Sequence, residues 1–124
     1  MSGYIDGNTR TFEAGGAVAK NLRVVLSTGK LAAAGITDKE LGTIETAAFA
    51  DGDMRSVRLR TASGTCKMVA SAALAVGADV FTAASGKVGA SASTAYYIGV
   101  ALTAATADGD IIEVLRNSHG DTAV

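Results

Sequence analysis

Two short acidic loops are the first places where this chain could do chemistry. Asp51-Gly52-Asp53 and Asp108-Gly109-Asp110 each set two carboxylates on either side of a glycine. Calcium takes six or more oxygens, usually from several carboxylates of one loop. Two carboxylates per loop fall short of that. The same residues have a complete reading as turns, with Asp and Gly making the bend and the second Asp opening the next strand. Asp51, Gly52, Asp108 and Gly109 are therefore read as structural turn residues, and no metal is assigned.

Gly29-Lys30 and Gly86-Lys87 invite a phosphate-binding reading. A phosphate loop needs a glycine five residues before the Gly-Lys pair and a hydroxyl residue after it. Those positions hold Val24 and Phe81, then Leu31 and Val88, so both motifs fail on both sides. Gly29 and Gly86 are read as turn glycines. His119 is the only histidine, in the polar run Asn117-Ser118-His119-Gly120-Asp121. Five consecutive residues cannot place Ser, His and Asp as a triad beside an oxyanion hole. Cys66 is the only cysteine, which excludes an internal disulfide and fits a small apolar strand residue. One Cys and one His do not make a zinc site. No catalytic residue and no cofactor are assigned, and the expectation is a protein that is not an enzyme.

These motifs come in pairs because the chain does. Thr46-Ala47-Ala48-Phe49-Ala50-Asp51-Gly52-Asp53 returns as Thr103-Ala104-Ala105-Thr106-Ala107-Asp108-Gly109-Asp110, with one residue changed. Pairing 28–57 with 85–114 without a gap gives thirteen identities in thirty positions. The match continues upstream with one residue deleted, so that Val24-Val25 meets Val80-Phe81. A repeated supersecondary unit is the simplest account, with copies at about 17–60 and 73–116.

The elements that position the turns read as strands. Gly with a small polar residue punctuates the chain at Thr28-Gly29, Asp51-Gly52, Ser63-Gly64, Ser85-Gly86 and Asp108-Gly109. Between them lie β-type runs at 23–27, 30–33, 41–48, 54–61, 65–71, 79–83, 87–90, 96–103 and 110–116. Residues 70–78 are Ala-rich but lack caps, and read as a linker with at most a turn of helix. The expectation is an all-β small barrel or tulip, its two units paired by a pseudo-two-fold into one closed barrel that hides the strand edges. Residues 1–16 stand outside the repeat as an N-terminal arm with apolar anchors Tyr4, Ile5 and Phe12. Residues 17–116 form a single domain, and 117–124 a polar tail.

Composition narrows the partners. Eleven Lys+Arg against twelve Asp+Glu leave a net charge of −1 and no basic run. Nucleic-acid binding has little electrostatic basis, and 5% aromatics without Trp leave few stacking platforms. Much of the 48% hydrophobic content is Ala, which buries little area per residue, so help to stability from a partner or from self-association is expected. There is no long apolar run and no signal-peptide pattern at the start, so neither membrane insertion nor secretion is expected.

Leu74-Ala75-Val76-Gly77-Ala78-Asp79-Val80-Phe81, then Ser85-Gly86-Lys87-Val88, Tyr97-Ile98-Gly99-Val100-Ala101-Leu102 and Ala107-Asp108-Gly109-Asp110-Ile111-Ile112-Glu113-Val114-Leu115 resemble a family of small tailed-phage capsid decoration, or cement, proteins. Thr11-Phe12-Glu13-Ala14-Gly15-Gly16-Ala17-Val18 is similar to that family's usual start. The likeness covers about residues 11–116 and rests on the order and doubling of the motifs. The first copy departs at Ala19-Lys20-Asn21-Leu22, where the family's small-Gly-acidic turn is missing. The resemblance implies a β-barrel or β-tulip module, often a trimer, made in the host cytoplasm. Such a module binds the outside of the phage head and staples neighbouring subunits of the major capsid protein. Tyr4, Ile5, Arg10 and Phe12 are then the candidate contacts to the capsid or to another copy. A free-standing adhesin or carbohydrate-binding β-domain is the competing reading, and a small hydrolase a third.

Overall fold

The computed structural model describes residues 8–62, 64–91 and 95–116. Ten strands follow one another: β1 (Thr9–Glu13), β2 (Arg23–Ser27), β3 (Lys30–Ala33), β4 (Gly42–Ile44), β5 (Met54–Leu59), β6 (Thr65–Val69), β7 (Asp79–Thr82), β8 (Val88–Gly89), β9 (Tyr97–Ala101) and β10 (Ile111–Arg116). A single 3₁₀ turn, Ala84–Gly86, joins β7 to β8. No helix of the described residues is long and apolar enough to cross a membrane.

The strands form two five-stranded sheets of the same order, β1-β5-β4-β2-β3 and β6-β10-β9-β7-β8, with every ladder antiparallel. The molecule is all-β and built from two similar units, as the sequence repeat implies. The repeat also reaches further upstream than the identities do. Thr9–Glu13, read from sequence as part of an arm outside the repeat, is β1, paired with β5 from Thr9↔Arg58 to Glu13↔Met54. Its counterpart is β6, paired with β10 from Leu115↔Thr65 to Ile111↔Val69. Side chains alternate along such strands. Phe12 accordingly packs on the first core, and Met68 is fully buried in the second.

Each sheet curls on itself. In the first unit a parallel bridge joins Ala14 to Leu31, with Gly15 N–H on the Leu31 carbonyl at 3.0 Å. In the second, Ala70 meets Val88 and Ser71 N–H takes the Val88 carbonyl at 2.7 Å. The two ends of a sheet thus meet within each unit, rather than one barrel closing across both. The cores follow suit. Val24, Leu31, Ile44 and Val57 anchor one cluster; Met68, Val80, Val88, Ile98, Ile112 and Val114 anchor another.

Strand β4 is shorter than the expected 41–48. After Ile44, Glu45 N–H still takes the Ser56 carbonyl of β5 at 2.9 Å; the chain then leaves the ladder, and Ala48 exchanges two backbone hydrogen bonds of 2.9 Å with Val18. Leu74 and Ala105 do the same in the second unit. The 70–78 stretch, read as a linker, therefore carries repeat contacts of its own.

Candidate functional site

The doubled polar motifs converge on one device per unit. Lys30 Nζ lies 2.9 Å from Asp51 Oδ1, and Lys87 Nζ lies 2.7 Å from Asp108 Oδ1. The lysine of each Gly-Lys turn thus reaches the first Asp of the same unit's Asp-Gly-Asp turn. The second Asp holds the backbone. Asp53 Oδ2 accepts the N–H of Phe49 at 2.8 Å and of Ala50 at 3.1 Å. Asp110 Oδ2 accepts the N–H of Thr106 at 2.8 Å and of Ala107 at 3.2 Å. These backbone donors favour the charged carboxylate, so both Asp53 and Asp110 titrate below the usual carboxylate range. Lys30 is held above its ordinary range, chiefly by its hydrogen bond to Asp51.

The turn glycines sit where backbone geometry requires them. Thr28 and Gly29 take φ of 52° and 86°, the two positive values of a tight I′ hairpin. Ser85 and Gly86 take 60° and 75°. The small-Gly-acidic turn missing from the first copy keeps its shape without the glycine: Asn21 adopts φ 67° where Gly77 adopts 86°. Asn is among the few residues that enter the left-handed region readily.

A second cluster joins the two units and has no copy. Arg23 is fully buried at the start of β2, where the second unit has the exposed Asp79. Its guanidinium donates within its own unit to the Gly35 carbonyl at 3.1 Å, and across to the carbonyls of Ala83 at 2.6 Å and Lys87 at 3.0 Å. Glu40, also buried, lies between Arg23 and Arg116 of β10. Thr82 Oγ1 donates to the Ile36 carbonyl at 2.6 Å, and Gly86 N–H to the Ala34 carbonyl at 2.7 Å, both across the same seam. Burial pushes the Arg23 pKa down, while Glu40 pulls against that shift.

Between β4–β5 of one unit and β6–β10 of the other runs an open cleft of about 880 Å³. Lys20, Arg58 and Lys67 line it with Glu45 and Glu113. Both carboxylates are bonded to hydroxyls, Glu45 to Ser56 at 2.8 Å and Glu113 to Thr65 at 2.5 Å. Cys66 borders this cleft, but its thiol is buried and desolvation raises its pKa, which is the wrong direction for a nucleophile.

A family model described as "Phage cement protein" matches residues 5–116. The chain belongs to the phage cement protein family. It is thus a capsid-associated structural protein, and both repeat units lie within the match. No curated protein matches the sequence. A solved structure with the same fold is the head fiber gp8.5 N base of bacteriophage phi29. It is 17% identical, with a TM-score of 0.73 over 92% of this chain and 96% of that one.

For a cement protein the relevant site is a surface, and the four candidate contacts divide. Tyr4 and Ile5 lie outside the described residues, as does His119. Arg10 is exposed on β1 with its guanidinium 4.9 Å from the centre of the Phe12 ring. Phe12 is only partly exposed and packs on the first core, so part of its apolar area already serves the fold. Two features escaped the sequence reading. One is the Arg23–Glu40–Arg116 cluster. The other is Phe49, 77% exposed at the tip of the first Asp-Gly-Asp turn. Both lie where the two copies differ, and that difference is the signal that could have found them.

Proposed function

We propose that this chain is a capsid decoration protein that binds the outer surface of the phage head and strengthens contacts between neighbouring major capsid protein subunits. The observation that carries the reading is the family match across both β units. The geometry agrees with it: the doubled polar motifs are engaged in turns and ion pairs within the chain. A ligand that binds only the assembled shell stabilises that shell by linkage. Homotrimers would multiply weak contacts through avidity, and a net charge of −1 suits protein packing better than contact with packaged DNA. In this reading the protein is made in the host cytoplasm and added to the head. The N-terminal segment, with Tyr4, Ile5, Arg10 and Phe12, contacts the capsid or a neighbouring copy.

The test is to add purified protein to expanded heads that lack it and to image them by cryo-microscopy. Added density at regular positions on the outer lattice is expected. Bare shells at saturating protein would overturn the reading. Truncation before Asn8 is expected to lower occupancy while leaving the β units folded.

A further inference from the structure

Position 49 is where the two copies of the Asp-Gly-Asp turn diverge. The backbone bonds to Asp53 and Asp110 are the same in both. In the second turn Thr106 adds a hydroxyl bond to Asp110 Oδ2 at 2.8 Å. In the first, Phe49 holds that place and stands 77% exposed, more than any other large apolar side chain among the described residues. The second copy acts as an internal control. The turn forms with Thr and gains a bond by it, so folding does not call for an aromatic ring there. Met54 is 57% exposed, but its counterpart Ile111 is 52% exposed, so position 49 is what sets the first turn apart.

We propose that Phe49 is the anchor by which the first unit seats in an apolar pocket of the phage shell protein. The proposal rests on the decoration reading above and adds which end of the molecule grips. Aromatic side chains inserted into partner pockets dominate interface energetics. A projecting ring needs a concave partner. The cleft between the units carries Lys20, Glu45, Arg58, Lys67 and Glu113, and so many charges do not suit it. The apolar groove beside Leu26, Leu41 and Leu59 lies at the far end of β5 from Met54. A ring of copies seating Phe49 in that groove is the rival occupant.

The experiment titrates labelled protein onto heads lacking it and records the oligomeric state of each variant by light scattering. Phe49→Thr installs the residue of the second copy and is expected to weaken binding by roughly tenfold or more with the oligomer unchanged. Phe49→Leu should recover part of the loss. Val76→Thr, which trims a 66% exposed apolar side chain of the second unit, should leave binding as it is. Unaltered binding of Phe49→Thr beside normal binding of the parent overturns the anchor and leaves the decoration reading intact. Equal losses for Val76→Thr and Phe49→Thr overturn it too. So does dissociation of the oligomer in Phe49→Thr, which would place the ring between copies. If the parent protein itself fails to bind, the decoration reading fails and the anchor with it.

Discussion

Arg23 and Glu40 meet with neither side chain exposed, Nη1 at 3.5 Å from Oε1, while the second Glu40 oxygen takes Arg116 Nη1 at 2.7 Å. One carboxylate therefore pairs with a guanidinium from each unit. Removing one partner of a buried ion cluster leaves uncompensated charge, at a cost of about 3–5 kcal/mol. Glu40→Ala is expected to lower stability by that order, with Glu40→Gln milder because it keeps an acceptor. Urea unfolding followed by circular dichroism measures it. A midpoint shift no larger than that of an exposed substitution would sink the claim that this cluster holds the units together.

Gly42 and Gly99 occupy equivalent places in β4 and β9. A Cβ on Gly42 would press into the carbonyl of Arg58, and one on Gly99 into that of Leu115, both far inside contact distance. Backbone cannot yield as a side chain can. Gly42→Ala and Gly99→Ala should each destabilise by about 3 kcal/mol or more. Gly16 is the control, since nothing lies within 4 Å of a Cβ there and its φ is not positive. Gly16→Ala should be neutral or stabilise by up to about 1 kcal/mol. Thermal melts of the three variants decide it, and similar melting points for all three would refute the argument.

The paired turns were legible because turn chemistry needs particular residues. Asp51, Gly52 and Asp53 cannot be exchanged freely, so both copies keep them. Strand β1 was not legible. Its only demands are a buried side at Phe12 and Ala14, which the second copy meets with Met68 and Ala70. Many sequences satisfy that pattern, so few identities remain between the copies. Closure within each unit was hidden for a related reason: it rests on backbone bonds of Gly15 and Ser71, to which side-chain identity contributes little. The burial of Arg23 could not be read from sequence because its acceptors are mostly carbonyls from distant segments.

Asp53 and Asp110 give the fold an acid-sensitive contribution. Backbone N–H donors, first those of Phe49 and Thr106, depress their pKa values in the folded state. A depressed carboxylate stabilises the fold above the unfolded pKa of about 3.9, and this contribution is lost as pH falls through the folded value. Stability should thus drop on acidification below about pH 4. Asp53→Asn with Asp110→Asn is expected to lower stability at neutral pH and to flatten the acid limb. Urea midpoints across that range test this, and parallel curves for parent and variant would count against it.

Cys66 should behave as a structural thiol. It is 6% exposed, and its Sγ lies 3.8 Å from the Val114 carbonyl. Desolvation raises its pKa, and the nearby Arg116 charge offsets only part of that. The thiolate is the reactive form, so both its population and its access are reduced. Alkylation of the folded protein at neutral pH is expected to run at least about tenfold slower than that of a free cysteine, and to reach the free rate once urea unfolds the chain. Glu40→Ala should accelerate it, because loosening the seam that Arg116 shares with Glu40 opens the same corner of the second core. Fast labelling of the native parent would show instead that the thiol is accessible and that the corner is not sealed.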